Sequence, residues 1–192
     1  MDSITEISSL YNPKFVKPIA IKYIQNNESK IWEAVITHDS VSILLWHKER
    51  DAFVLVKQLR PAVFNMNPKD GYMYELCAGI VDKELSLTQI VKEEILEECG
   101  YDVNISQIQK VSKFYTSVGI SGASQTLFYA QVDDNMKVSN GGGLDEECIE
   151  VVYISTNEAK KFMFDESYQK TPGMCMAFYW FFDNRDALMK NL

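Results

Sequence analysis

The chain has 192 residues, 46% of them apolar, and a formal charge of −8, which is one domain's worth of sequence with enough apolar side chains for a core. No apolar run reaches membrane-spanning length and the first ten residues lack the basic start and apolar stretch of a leader, so a cytoplasmic protein without a membrane partner is expected. No basic block offsets the negative charge, which argues against nucleic acid as a partner.

Segments 17–25 and 30–37 alternate apolar and polar residues around Asn26-Asn27-Glu28-Ser29, as the two strands of a hairpin do. A second hairpin is expected from 41–46 and 53–58, with 47–51 as its turn. Segment 60–71 holds two prolines, several polar residues and a glycine, and reads as a loop. A strand follows over 72–76, running into Cys77-Ala78-Gly79. The next element is a helix over 87–99, with Ser86 and Gln89 as a capping box and Gly100 at the C-terminal cap. Further strands are expected near 110–116, 125–132 and 149–154, and helices over 157–164 and 173–188. Few helices among many strands suggest an α+β fold with a mixed sheet between helices. Cys77, Cys99, Cys148 and Cys175 are scattered without a C-x-x-C pair, so neither a zinc site nor a disulfide framework is indicated.

The chemistry concentrates on the 87–99 helix, which carries Glu93, Glu94, Glu97 and Glu98. A crowded acidic helix is ordinarily a solvated face. Here a step of about 100° per residue places Glu94 and Glu98 inside the stripe formed by Leu87, Ile90, Val91 and Ile95, with Glu97 at its edge. Carboxylates on an inward face are costly unless protonated or neutralised by a cation. The i, i+3 and i+4 spacings set the three side by side, and oxygen ligands suit magnesium or manganese. A metal site is the better reading.

The 23 residues from Gly79 to Tyr101 resemble the Nudix box, G-x5-E-x7-R-E-U-x-E-E-x-G-U with U a bulky apolar residue. Gly79, Glu94, Ile95, Glu97, Glu98, Gly100 and Tyr101 fall in register. The resemblance implies a Nudix fold, Glu94 and Glu98 as the principal metal ligands with Glu97 beside them, and the Ala78 carbonyl as a further ligand. Two positions depart: the box's first Glu falls on Leu85 and its Arg on Glu93. In Nudix proteins these two side chains form an ion pair, so their joint loss is milder than orphaning one. Lys92 is a poor replacement for the Arg because it points elsewhere around the helix. Without the Arg, Glu93 is expected to add repulsion to the acidic cluster.

Outside the box, Thr37-His38-Asp39-Ser40-Val41, the run from Val54 to Val63, Glu75-Leu76-Cys77-Ala78-Gly79, Val118-Gly119-Ile120-Ser121-Gly122, Gln125-Thr126-Leu127-Phe128-Tyr129 and Gly141-Gly142-Gly143-Leu144 resemble the UDP-sugar diphosphatase branch of animals. The ADP-ribose diphosphatases are cousins of that branch. The implied activity is hydrolysis of the diphosphate of a nucleotide sugar, UDP-glucose first, by a magnesium-dependent (alternatively manganese-dependent) homodimer. Residues 1–37 would be the dimerisation element and 38–192 the hydrolase domain. ADP-ribose as substrate, and a Nudix-fold module that binds a nucleotide without cutting it, stay open as alternatives.

Arg60, at a strand end, could grip phosphate or stack on a base, or simply form a surface ion pair; the resemblance favours substrate, with Lys57 a weaker second. Residues 118–124 are either a backbone anion site or a plain turn. Ser139 to Glu147 joins a glycine run to three acids; as an isolated stretch it is a solvated loop. By the resemblance this loop delivers a glutamate as metal ligand or base, with Glu147 the best match and Glu146 next. His38 and His47 read as neither ligands nor bases, and Phe178 to Phe182 read as core or dimer contact.

Overall fold

A computed structural model describes residues 2–144 and 147–190. The chain runs through β1 (Lys17–Gln25), β2 (Glu28–Ile36), β3 (Ser40–His47), β4 (Ala52–Leu59), α1 (Pro61–Met66), β5 (Tyr72–Glu75), β6 (Cys77–Ile80) and α2 (Leu87–Cys99). It continues through β7 (Gln109–Tyr115), β8 (Ser124–Val132), β9 (Glu150–Ser155), α3 (Thr156–Phe164), β10 (Gln169–Lys170) and α4 (Pro172–Lys190).

Strands β3, β4 and β8 form the buried centre. β3 runs parallel to β8 along its whole length, from Ser40↔Gln125 to His47↔Val132. Its other edge is shared: β6 takes Ser40 to Ile43, and β4 takes Leu45 to His47. β4 in turn pairs with β5 and β9. Side chains alternate across these strands, which sorts the core into two layers. Val41, Ile43, Leu45, Val54, Val56, Phe128 and Ala130 face α2 through Ile90, Val91 and Ile95. Leu44, Trp46, Phe53, Leu55, Leu127 and Tyr129 face α3 and α4 through Phe162, Met174, Phe178 and Phe181. The result is a mixed sheet between helices, the α+β Nudix arrangement expected. Phe178 of the aromatic run stacks on Phe53 with ring centroids 4.1 Å apart, and Phe178 and Phe181 are core, while Tyr179 is exposed.

β1 and β2 pair only with each other, as a separate antiparallel hairpin. Its turn is Asn26-Asn27, both at positive φ, a pairing that suits a two-residue hairpin loop; the second strand accordingly starts at Glu28, two residues before the expected 30. Ile21, Ile24, Ile31, Trp32 and Ile36 remain exposed on it. The hairpin reaches the body through residues 117–121: Trp32 Nε1 donates to Gly119 O at 2.9 Å and Val35 N to Ile120 O at 2.7 Å. That segment is a turn closed by Ile120 N and Ser121 N on Ser117 O, so these two amides already have an acceptor.

Three elements depart from the expectations, the first being β6, which is separate from β5 and pairs with β3 where β5 pairs with β4. The 60–71 segment contains α1, started by Pro61 in the first turn, where a missing N–H does no harm. None of its residues is buried, so no apolar periodicity marked it. β10 is a two-residue parallel pairing with β5, too short to carry a pattern.

Candidate active site

The acidic helix is held where the sequence places it. Gln89 N donates to Ser86 Oγ and Ser86 N to the Gln89 carbonyl oxygen, closing the capping box. Gly100 ends the helix at φ +73°, where a Cβ would strike the Ser139 carbonyl. Ile90, Val91 and Ile95 lock the apolar stripe into the core, and that rotation carries Glu98 inward, to 6% exposure.

Glu98 accepts a hydrogen bond from Ala78 N at 2.9 Å, which joins the helix to β6. Burial pushes its carboxyl up to about 8, against the opposing pull of the Ala78 amide. Glu94 is half-buried and is pushed up to about 7, by burial first and by the neighbouring Glu97 carboxylate second. A Cβ at Gly79 would collide with the Glu94 carboxylate, so the glycine gives that side chain its room. Two carboxylates drawn from water beside a third are the donor set a hard divalent cation neutralises. The donor types match the metal the family pattern implies, although among the described residues these acids do not bring three ligand atoms within 4.8 Å of one another.

Glu93 has a partner that the sequence reading did not supply. Lys83 Nζ lies 2.7 Å from its Oε2, and the same cation attracts Glu97 and Glu94. Glu93 does add to the repulsion that raises Glu94, as expected, but Lys83, on the loop before the helix, pairs with it and lowers Glu94 in turn. Lys92 points away, as expected, and pairs with Asp102 at 3.0 Å.

The glycine run closes over the C-terminal end of α2. Gly142 N and Gly143 N donate to the carbonyls of Glu98 and Glu97, each at 3.0 Å. Gly141, Gly142 and Gly143 all have positive φ, and a Cβ on Gly141 would meet the Glu98 carbonyl; only glycine follows this path at such close range. The run delivers Glu147, whose Oε2 accepts from Leu144 N at 3.0 Å. Its charge raises both Glu94 and Glu98, so it stands within electrostatic reach of the two acids. Glu146 lies outside the described residues.

Beside Ala78 opens a cleft of about 680 Å³. Ser42, Arg60, Glu75 and Ala78 line one part, Phe114 to Ser117 another, and the start of α4 at Pro172 to Met174 a third. Arg60 is held at its wall by Glu75, whose Oε2 accepts from Nε at 2.9 Å and Nη2 at 2.6 Å, and from Gln58 Nε2 at 3.2 Å. Lys57 is turned elsewhere. Its Nζ pairs with Glu150 at 3.3 Å and lies over the rings of Tyr72 and Tyr74, and it is not among the cleft-lining residues. Sequence reasoning missed Glu75 as the partner of Arg60, because the pairing arises from the β4–β5 ladder. It also missed the α4 N-terminus as a wall, for which the sequence offers no signal.

No family model matches the chain. The chain is similar to the uridine diphosphate glucose pyrophosphatase of Bos taurus, 37% identical over 88% of each chain. It is similar to that of Mus musculus at 36% identity, again over 88% of each. A GDP-mannose pyrophosphatase of Cronobacter sakazakii is 37% identical over 63% of this chain and 62% of its own. With the box in register on α2 and relatives of this kind along most of its length, the chain belongs to the Nudix hydrolases.

Proposed function

We propose that the protein hydrolyses the diphosphate of a nucleoside-diphosphate sugar, taking UDP-glucose to UMP and glucose 1-phosphate. One observation carries the reading: Glu98, inward on α2, is bonded to Ala78, and Ala78 lines the same cleft as Arg60. This joins a site for cations to a site for a phosphate-bearing ligand. The choice of uridine and glucose rests on the relatives named for that substrate over 88% of the chain.

Glu94, Glu97 and Glu98, with the Ala78 carbonyl and Glu147, are the residues proposed to hold magnesium, manganese being the alternative. Such cations supply charge neutralisation of the diphosphate and lower the pKa of water. Arg60 binds phosphate oxygens through its planar fork. Lys57 joins it only by leaving Glu150. Water attacks one phosphorus, the bond from that phosphorus to the bridging oxygen breaks, and a carboxylate of Glu147 or Glu97 takes the water's proton. Residues 1–37 are proposed as the dimerisation element of a homodimer, supported by the exposed Ile21, Ile31, Trp32 and Ile36. The cytoplasm is the proposed setting; no described helix is long and apolar enough to cross a membrane.

The test is product analysis with magnesium over UDP-glucose, GDP-mannose and ADP-ribose. UMP and glucose 1-phosphate formed at the highest kcat/KM are expected. Preference for ADP-ribose by tenfold or more overturns the substrate, and tight binding without turnover of any of the three overturns the reaction.

A further inference from the structure

His47 stands at the end of β3, on the α2 face of the sheet, and is fully buried. Neither ring nitrogen has a hydrogen-bond partner. Both nevertheless face carboxylates: Nε2 lies 3.2 Å from Asp134 Oδ1 and Nδ1 lies 3.5 Å from Glu49 Oε2. Among the described residues, His47, Glu49 and Asp134 are the group that brings three ligand-type atoms within 4.8 Å of one another. We propose that these three side chains form a second cation site, for a borderline transition-metal dication such as zinc or cobalt.

The contacts themselves argue for an ion over a plain salt bridge. An imidazolium between two acids donates a straight hydrogen bond to each, and a neutral imidazole needs an acceptor for its one N–H. Neither condition is met here, although acceptor oxygens are adjacent. A nitrogen and an oxygen both bound at about 2.0–2.1 Å to one tetrahedral ion stand about 3.3 Å apart, without the oxygen lying on the N–H axis. The Nε2–Asp134 contact has that length.

The surroundings favour a fixed imidazole and an added positive charge. Tyr101 and Tyr153 hold the ring edge-on, with centroids 5.9 and 6.1 Å away, and their hydroxyls bond each other at 2.8 Å. Nearby, Glu49, Asp133 and Asp134 outnumber Lys48 and Arg50, which pair with Asp133 at 2.9 Å and Asp134 at 3.1 Å. Arg50 and His47 Nε2 meet the same oxygen of Asp134, Oδ1, so an ion bound there would shift Arg50 to the second oxygen of that carboxylate. Imidazole selects zinc or cobalt over magnesium, which separates this site from the all-oxygen set on α2. His47 is five residues from Ser42, the β3 residue in the cleft, about 17 Å along the strand. An ion here would clamp the β3–β4 turn to the segment after β8.

The test titrates the full-length protein with cobalt chloride while saturating magnesium occupies the acids of α2. One tetrahedral cobalt per chain is expected in the visible spectrum, and copper in its place should show nitrogen coupling from an imidazole in pulsed EPR. Glu49→Gln and Asp134→Asn alter side chains that are 42% and 63% exposed, so they preserve the fold. Each should weaken cobalt binding at least tenfold, whereas Glu98→Gln should leave it unchanged. The chain has one other histidine, His38, which is exposed; His38→Asn should leave the nitrogen coupling intact. The proposal is overturned by absence of cobalt binding under saturating magnesium, by unchanged affinity in both carboxylate variants, or by a nitrogen signal that disappears with His38.

Discussion

Replacing Glu98 by glutamine should stabilise the apo protein while abolishing its chemistry. The folded carboxyl sits near 8, above its ordinary value near 4.5, so folding favours the protonated form. A group raised in this way leaves stability intact below about pH 4.5 and erodes it as pH climbs through 8. The full difference amounts to roughly 4–5 kcal/mol above pH 8. Relaxation of the site and water entry reduce it, and a working expectation is about 2–4 kcal/mol. The glutamine oxygen can still accept the Ala78 amide, so the hydrogen bond at 2.9 Å is not forfeited. For a chain of this length the gain corresponds to a rise of roughly 5–10 °C in Tm. The assay is thermal unfolding in EDTA at pH 5.0 and 8.5. Glu98→Gln should melt well above wild type at pH 8.5, and the gap should narrow to a few degrees or less at pH 5.0. With magnesium added, the wild type should gain stability and the variant should not, and its kcat should fall by orders of magnitude. An apo Tm at pH 8.5 equal to or below wild type would refute the claim that an unneutralised carboxylate is held at the core edge.

Glu147→Gln should lower kcat far more than it changes KM, as measured by steady-state kinetics; an equal effect on KM alone would assign the residue to substrate binding. Glu93→Arg places a second cation against Lys83, now 2.7 Å from the Glu93 carboxylate, and should lower the apo Tm. Because the pair is exposed the loss should stay within about 1 kcal/mol, and Lys83→Glu combined with Glu93→Arg should restore it. Arg60→Lys keeps the charge but loses the fork held by Glu75. KM for UDP-glucose should rise about tenfold, and a kinetically silent variant would show that Arg60 serves only Glu75.

The 87–99 helix was legible to the residue because three independent signals agreed: the apolar stripe, the Ser86–Gln89 box and Gly100. The inward placement of Glu98 followed from the same periodicity. What stayed illegible depends on contacts distant in the chain. Lys83 and Glu93 are ten residues apart across a loop whose path no local rule dictates, whereas Lys92, the nearest basic residue in sequence, points elsewhere. Arg60 finds Glu75 through strand pairing. The exposed α1 carries no core stripe to reveal it. Nothing local marks His47 as a ligand, because Glu49 is its neighbour in sequence but Asp134 is not; His47 and Asp134 meet only when β3 and β8 run parallel.

The hydrogen bonds from Trp32 and Val35 to residues 119 and 120 have a consequence for how the protein behaves on dilution. The turn they grip leads directly from Thr116 and Ser117, which form one side of the cleft. Any surface that seats on the hairpin therefore pulls on the same wall that a substrate would press against. If the hairpin's partner is a second copy of the chain, specific activity should depend on enzyme concentration, and KM should drift upward as subunits part. Substrate, by mass action, should in turn hold the subunits together.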